Sequence, residues 1–179
     1  MRRLSPAEPL VMLATIALWL VLAMATGALV GTACSVFLRL LFASEGRLYG
    51  APWALLAALL PAAGLANGLL LHYGYRLNTS GLKDEPITAV NEQQGRMPFV
   101  TLWIKPVAAL ITLGCGGSAG KEGPCSHIGA GVAAGLGQAL RLNAELRKRL
   151  VACGVSAGFA SMYGTPITGA TYGVDMLAI

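Results

Sequence analysis

Residues 113–138, L-G-C-G-G-S-A-G-K-E-G-P-C-S-H-I-G-A-G-V-A-A-G-L-G-Q, place one acidic side chain, Glu122, between Lys121 and Gly123-Pro124. A glycine-rich approach precedes it and a run with almost no charge follows. Proline has no N–H to lose in the first turn of a helix, so Pro124 predicts a helix start just after Glu122, with the helix running from Pro124 to Leu140. The free N–H groups of such a start, backed by the helix dipole, form an anion site. The glycines let a ligand approach the backbone without meeting a Cβ.

The surroundings of this stretch decide its use. Both flanks are apolar enough for a bilayer, where irregular backbone survives only inside protein or along a water-filled cavity. An ionisable side chain there is costly, and points to function. A carboxylate at an anion-binding helix start competes with the anion for the same N–H groups, which makes Glu122 a candidate gate.

Composition supports the membrane setting. The chain of 179 residues is 55% hydrophobic and only 12% charged, with a mean hydropathy of +0.64. These values favour an integral membrane protein over a soluble helical core. The 23 glycines suit helices that approach closely in lipid. The net charge of +5 comes from Lys and Arg scattered between apolar runs or at their ends, a flanking pattern that does not indicate nucleic acid. Cys34, Cys115, Cys125 and Cys153 show neither C-x-x-C pairing nor a nearby group of His ligands, so they read as packing residues and no metal or cofactor is expected.

The order of segments predicts a bundle of helices, some broken. Residues 8–43 carry no charge between Glu8 and Arg39 and are long enough to cross the hydrocarbon, with Gly27 and Gly31 marking a packing face. Met1-Arg2-Arg3 imitates a signal peptide, but the apolar run is about twice as long as a signal core, so it is expected to stay as the first membrane helix. Ser44-Glu45-Gly46-Arg47 predicts a short polar turn, after which a helix from Pro52 through Leu71 pairs antiparallel with the first.

From His72 to Pro98 the chain is polar and rich in turn residues. Two readings stand: a surface loop with a short helix, or a segment in which Asn78-Thr79-Ser80-Gly81 caps a short helix that offers donors to an anion. Phe99 to Thr112 is apolar apart from Lys105, which either snorkels to the interface or adds positive potential to an anion pathway. Gly129, Gly131, Gly135 and Gly137 predict a close-contact face on the next helix. Residues 141–149 predict a basic surface connector, and 150–163 a small-residue helix broken by Gly164-Thr165-Pro166. The last helix reaches Ile179 without a cap, so the chain looks cut there.

Two motifs, G-K-E-G-P at 120–124 and G-V-S-A-G-F-A-S-M-Y-G-T-P-I-T-G-A at 154–170, resemble those of the CLC family of chloride channels and chloride/proton antiporters. The second matches in spacing, with Tyr163 at the family's aromatic position and Pro166 at its proline. The resemblance implies an all-α polytopic membrane fold of tilted and broken helices, with residues 1–179 as a single transmembrane domain corresponding to the first of two inverted repeats. It implies that Glu122 is the gating glutamate and that Lys121 and Gly123 flank it at the anion site. It places Lys105 at a buried lysine, and Ser80 and Gly81 at a serine motif in which Lys83 stands where the family has proline. An ungapped match puts Met176, after Asp175, where proton-coupled members carry a glutamate. Methionine cannot carry a proton. The implied function is a chloride-type halide channel or transporter moving anions without stoichiometric protons, in a bacterial or archaeal inner membrane and as a homodimer when full length. A proton-coupled antiporter or a fluoride-selective member is the alternative within transport, and a structural or assembly subunit the alternative outside it. No nucleophile–base pair accompanies Glu122, which speaks against an enzyme using it with Lys121 or His127.

Overall fold

A computed structural model describes residues 7–48, 50–76 and 81–178. Seven α-helices and no strand occur among the described residues. They are α1 (Ala7–Leu48), α2 (Trp53–Arg76), α3 (Pro86–Asn91), α4 (Thr101–Gly114), α5 (Glu122–Ala139), α6 (Ala144–Tyr163) and α7 (Pro166–Ala178). Two stretches, Val11–Leu48 and Trp53–Arg76, are long and apolar enough to cross a membrane. At ~1.5 Å per residue, α4 is shorter than the hydrocarbon is thick.

The centre is the contact between α5 and α6, and glycine makes it possible. A methyl group at Gly129 would collide with the Gly154 carbonyl, one at Gly154 with the Gly129 carbonyl, and one at Gly158 with the Cys125 carbonyl. Backbone therefore touches backbone along this seam, as small residues permit in lipid. Gly131 faces Leu102 of α4 and Gly137 faces Arg147, whereas Gly135 faces open space. The expected glycine face on α5 thus serves several neighbours, without Gly135.

Helix α1 lies across α4, α5 and α6. Its inner face is Leu22, Thr26, Val30, Cys34, Phe37 and Leu41, spaced by three or four residues, and all six are buried. Gly31 meets Ser161 of α6, but Gly27 meets nothing, so the predicted Gly27–Gly31 face is only half used. Cys34 and Cys125 are buried together between α1 and α5, and all four cysteines are free thiols.

Several boundaries differ from expectation for identifiable reasons. The predicted turn at Ser44–Arg47 is helical, because the Ser44 hydroxyl bonds back to the Leu41 carbonyl at 2.7 Å and nothing before Gly50 and Pro52 stops the helix. Arg47, in the last turn, also suits the negative end of the dipole. Helix α2 runs to Arg76 rather than Leu71, since no proline intervenes and Gly74 is buried against Ile104 of α4, which holds the last turn. Helices α1 and α2 do not pack as a pair among the described residues. Instead α2 rests on α4, tied by the Asn67 amide donating to the Thr112 hydroxyl at 2.9 Å, a polar link of the kind that holds helices in lipid.

The connector predicted at 141–149 is helical from Ala144, because Asn143 caps α6 by accepting from the Leu146 N–H at 2.8 Å. Arg147 is consequently buried, donating from Nε to the Gln94 carbonyl at 2.9 Å, and so ties α6 to the segment after α3. Helix α3 starts at Pro86, with Glu85 in the cap position, so a cap from Asn78–Gly81 is replaced by a proline start. Ser80, with Asn78 and Thr79, lies outside the described residues.

Candidate functional site

Helix α4 ends where glycine is required. Gly116 has φ +85°, and the Gly116 and Gly117 N–H groups donate to the carbonyls of Leu113 (3.0 Å) and Thr112 (2.9 Å). This Schellman pattern closes the helix and turns the chain toward α5. Lys121 takes the cap position of α5 and Glu122 is its first residue, so the helix begins two residues before Pro124. Pro124 is the third helical residue, still in the turn where its missing N–H costs nothing. Among the described residues no side chain caps this end, so the N–H groups of Glu122 and Gly123 remain open.

Around this start lies an open cavity of about 340 Å³ lined by Leu41, Glu45, Leu113, Ala119, Gly120, Lys121, Glu122 and Tyr163. The Glu122 carboxylate accepts a hydrogen bond from the Tyr163 hydroxyl. The Lys121 ammonium sits 5.3 Å from the Phe42 ring centroid, a cation–π contact with α1. Tyr163 is the last residue of α6, followed by Gly164 at φ +66° and then by Pro166 at the start of α7. A carboxylate, a lysine, a phenol and open helix N–H groups thus share one cavity, which suits reversible exchange of a carboxylate with an anion.

A second polar cluster lies at the end of α2. The Lys105 ammonium pairs with Asp84 Oδ2 at 3.0 Å, the Tyr75 hydroxyl also donates to that oxygen, and Lys105 Nζ lies 5.9 Å from the Tyr75 ring centroid. Burial pushes the Asp84 carboxyl up, but the hydrogen bonds from Tyr75 and Lys105 and the lysine charge outweigh it and hold Asp84 below its ordinary value. Beside Asp84, Lys83 pairs with Glu92 at 2.9 Å on the exposed surface. His127 is nine-tenths buried, and its Nδ1 has no hydrogen-bond partner among the described residues.

The structure therefore brings Glu122, Lys121 and Gly123 together at the start of α5. Lys105 is held by Asp84 and does not line that cavity. Gly81 has φ +67°, lies in open space just before Leu82, and does not line it either. Sequence reasoning passed over Glu45, the Tyr163 hydroxyl and the Asp84–Tyr75 partnership. A tyrosine at the aromatic position of the second motif was the one signal that could have found the hydroxyl. At the far end Met176 is buried and Asp175 exposed. Among the described residues no group of His, Cys, Asp and Glu is placed to hold a metal ion.

Residues 63–179 match the family described as Voltage gated chloride channel. The chain belongs to this family. Its relatives include a "Chloride/fluoride channel protein" of Pseudomonas syringae pv. tomato, 33% identical over 96% of this chain and 37% of its own length. They also include the "Voltage-gated ClC-type chloride channel ClcB" of Yersinia pseudotuberculosis, 32% identical over 67% of this chain and 30% of that protein. A third is the "Chloride channel protein CLC-e" of Arabidopsis thaliana, 36% identical over 41% of this chain. The chain spans 37% of the length of the Pseudomonas relative. No solved structure matches it. The CLC-type all-α membrane fold stands on the family match together with the helices and spans described above.

Proposed function

We propose that this chain supplies one side of a gated anion pathway across a membrane, with Glu122 as the gate. The observation that carries the reading is Glu122 at the first position of α5, beside N–H groups that no side chain caps and in a cavity open to solvent. A carboxylate there occupies the place an anion would take, and its protonation or movement exposes the N–H donors. The names of the relatives supply chloride and fluoride as the ions to compare. Bacterial and archaeal proteins among the relatives, from Pseudomonas, Yersinia and Methanocaldococcus, support the plasma membrane of a bacterium or archaeon. In this reading residues 1–179 form the first of two inverted repeats, with the second repeat facing the Glu122 cavity, and the complete protein is a homodimer. Ser80 and Gly81 would contribute donors from the loop before α3, and Lys105 would set the local potential. An assembly role without transport, or chemistry at Glu122, has no observation in its favour.

The test is anion efflux from liposomes holding the complete gene product. Glu122→Gln removes the charge and keeps the shape, whereas Glu122→Ala clears the position. Both should raise halide flux and flatten its dependence on external pH, with chloride and fluoride assayed side by side. A folded Glu122→Gln protein with native flux and pH response would remove Glu122 as the gate.

A further inference from the structure

Within the Glu122 cavity each polar neighbour has a different attachment, and among the described residues only one bonds to the glutamate. Lys121 is turned onto the Phe42 ring of α1. Glu45 lines the cavity from α1 and makes no bond to Glu122 among the described residues. Helix α4 contributes only apolar Leu113, and the loop after it adds uncharged Ala119 and Gly120. Among the described residues Tyr163 alone, from the end of α6, places a proton donor on Glu122 Oε1.

The tyrosine ring is held independently of that bond. It lies 5.7 Å from the Phe159 ring, which stacks at 4.4 Å and 22° on Tyr172 of α7. Tyr172 in turn packs against the buried core that contains Met176. Gly164 ends α6 in the left-handed conformation directly after Tyr163, which fixes where the ring leaves the helix. A phenylalanine would keep this stack, so the hydroxyl is the one part of residue 163 that packing does not require.

We propose that Tyr163 is a positioning residue for the gate: its hydroxyl holds the Glu122 carboxylate against the end of α6 and so keeps the gate closed. The proposal rests on the reading of Glu122 as the gate. A hydroxyl makes a strong hydrogen bond to a carboxylate, so the bond restrains Glu122 at the place where it competes with an anion. Without the hydroxyl the carboxylate leaves that place more readily, and flux rises.

The experiment is halide flux as a function of external pH, in liposomes holding the complete gene product. Tyr163→Phe should raise flux several-fold at neutral pH and move the flux profile toward higher pH. In the Glu122→Gln background the same substitution should move nothing. Replacing Tyr163 by 3-fluorotyrosine, a more acidic phenol and a stronger donor of nearly the same shape, should move the midpoint downward, and this variant serves also if Tyr163→Phe folds poorly. Glu45→Gln, which removes the other carboxylate of the cavity, should leave the Tyr163→Phe shift in place. If Glu122→Gln raises flux but the Tyr163→Phe and fluorotyrosine profiles both coincide with the native one, the latch is overturned and the gate stands. If Glu122→Gln itself changes neither flux nor pH response, the gate falls and the latch falls with it.

Discussion

Gly129 and Gly154 bring the backbones of α5 and α6 into contact, each lying where a methyl on the other would meet a carbonyl. This contact fixes how the start of α5, with Glu122, stands relative to the end of α6, with Tyr163. Gly154→Ala should therefore destabilise the folded protein by about 2 kcal/mol or more, as overpacking of a closed interface does. Gly135→Ala, on the same helix as Gly129 but facing open space, should be neutral or slightly stabilising through helix propensity. The check is the temperature at which each variant loses its monodisperse peak in detergent; equal values would mean that the α5–α6 seam is not close-packed.

The ion pair between Asp84 and Lys105 predicts a coupling. Removing one partner leaves a half-buried charge alone, whereas removing both leaves none. Asp84→Asn and Lys105→Met should each cost on the order of 1 kcal/mol after solvent screening, and the double variant less than the sum of the two. Because the folded carboxyl of Asp84 lies below its ordinary value of 3.8, its contribution is fully present above that pH. The contribution fades only as the pH falls through the still lower folded value. A double-mutant cycle at neutral pH should thus show the coupling undiminished at pH 5; a coupling lost between pH 7 and 5 would point to a different partner.

These contacts separate what was legible in the sequence from what was not. The helix start at Glu122 could be read because glycine and proline act locally, through backbone freedom and the missing N–H. The inner face of α1 could not be read, since this helix is apolar all round and hydropathy alone does not say which side finds α4, α5 and α6. The turn expected at Ser44–Arg47 failed because polar residues resemble a loop in composition, although serine, glutamate and arginine continue a helix readily once the preceding turns exist. Lys105 and Arg147 were visible as charges, but the carboxylate of Asp84 and the carbonyl of Gln94 that satisfy them come from other parts of the chain. Ser80 and Gly81 were named from a motif, and the Glu122 cavity is lined by other residues among those described.

Met176 predicts the stoichiometry of transport. It is buried on α7 and offers no group that carries a proton, while its neighbour Asp175 faces outward. With the complete gene product in liposomes, an imposed chloride gradient should move halide without driving protons uphill. Met176→Glu places a carboxylate at the buried position, and should lower stability before it creates any coupling. Uphill proton movement in the native protein would show that another carboxylate does the work, and its loss in Asp175→Asn would identify which.

The Glu122 cavity itself predicts what a separately expressed segment can do. Its lining is open, Glu122 is exposed, and α1 and α2 leave Val11, Leu20, Met24, Trp53 and Leu65 exposed among the described residues. Unsatisfied N–H groups at the start of α5 cost several kcal/mol each if they face hydrocarbon, so a pathway needs more protein or water on that side. Residues 1–179 expressed alone and reconstituted should therefore give no halide efflux above that of empty liposomes, whereas the complete gene product should. Selective efflux from the segment, abolished by Glu122→Lys, would mean that copies of the segment close the cavity on one another and that the proposed second repeat is not required.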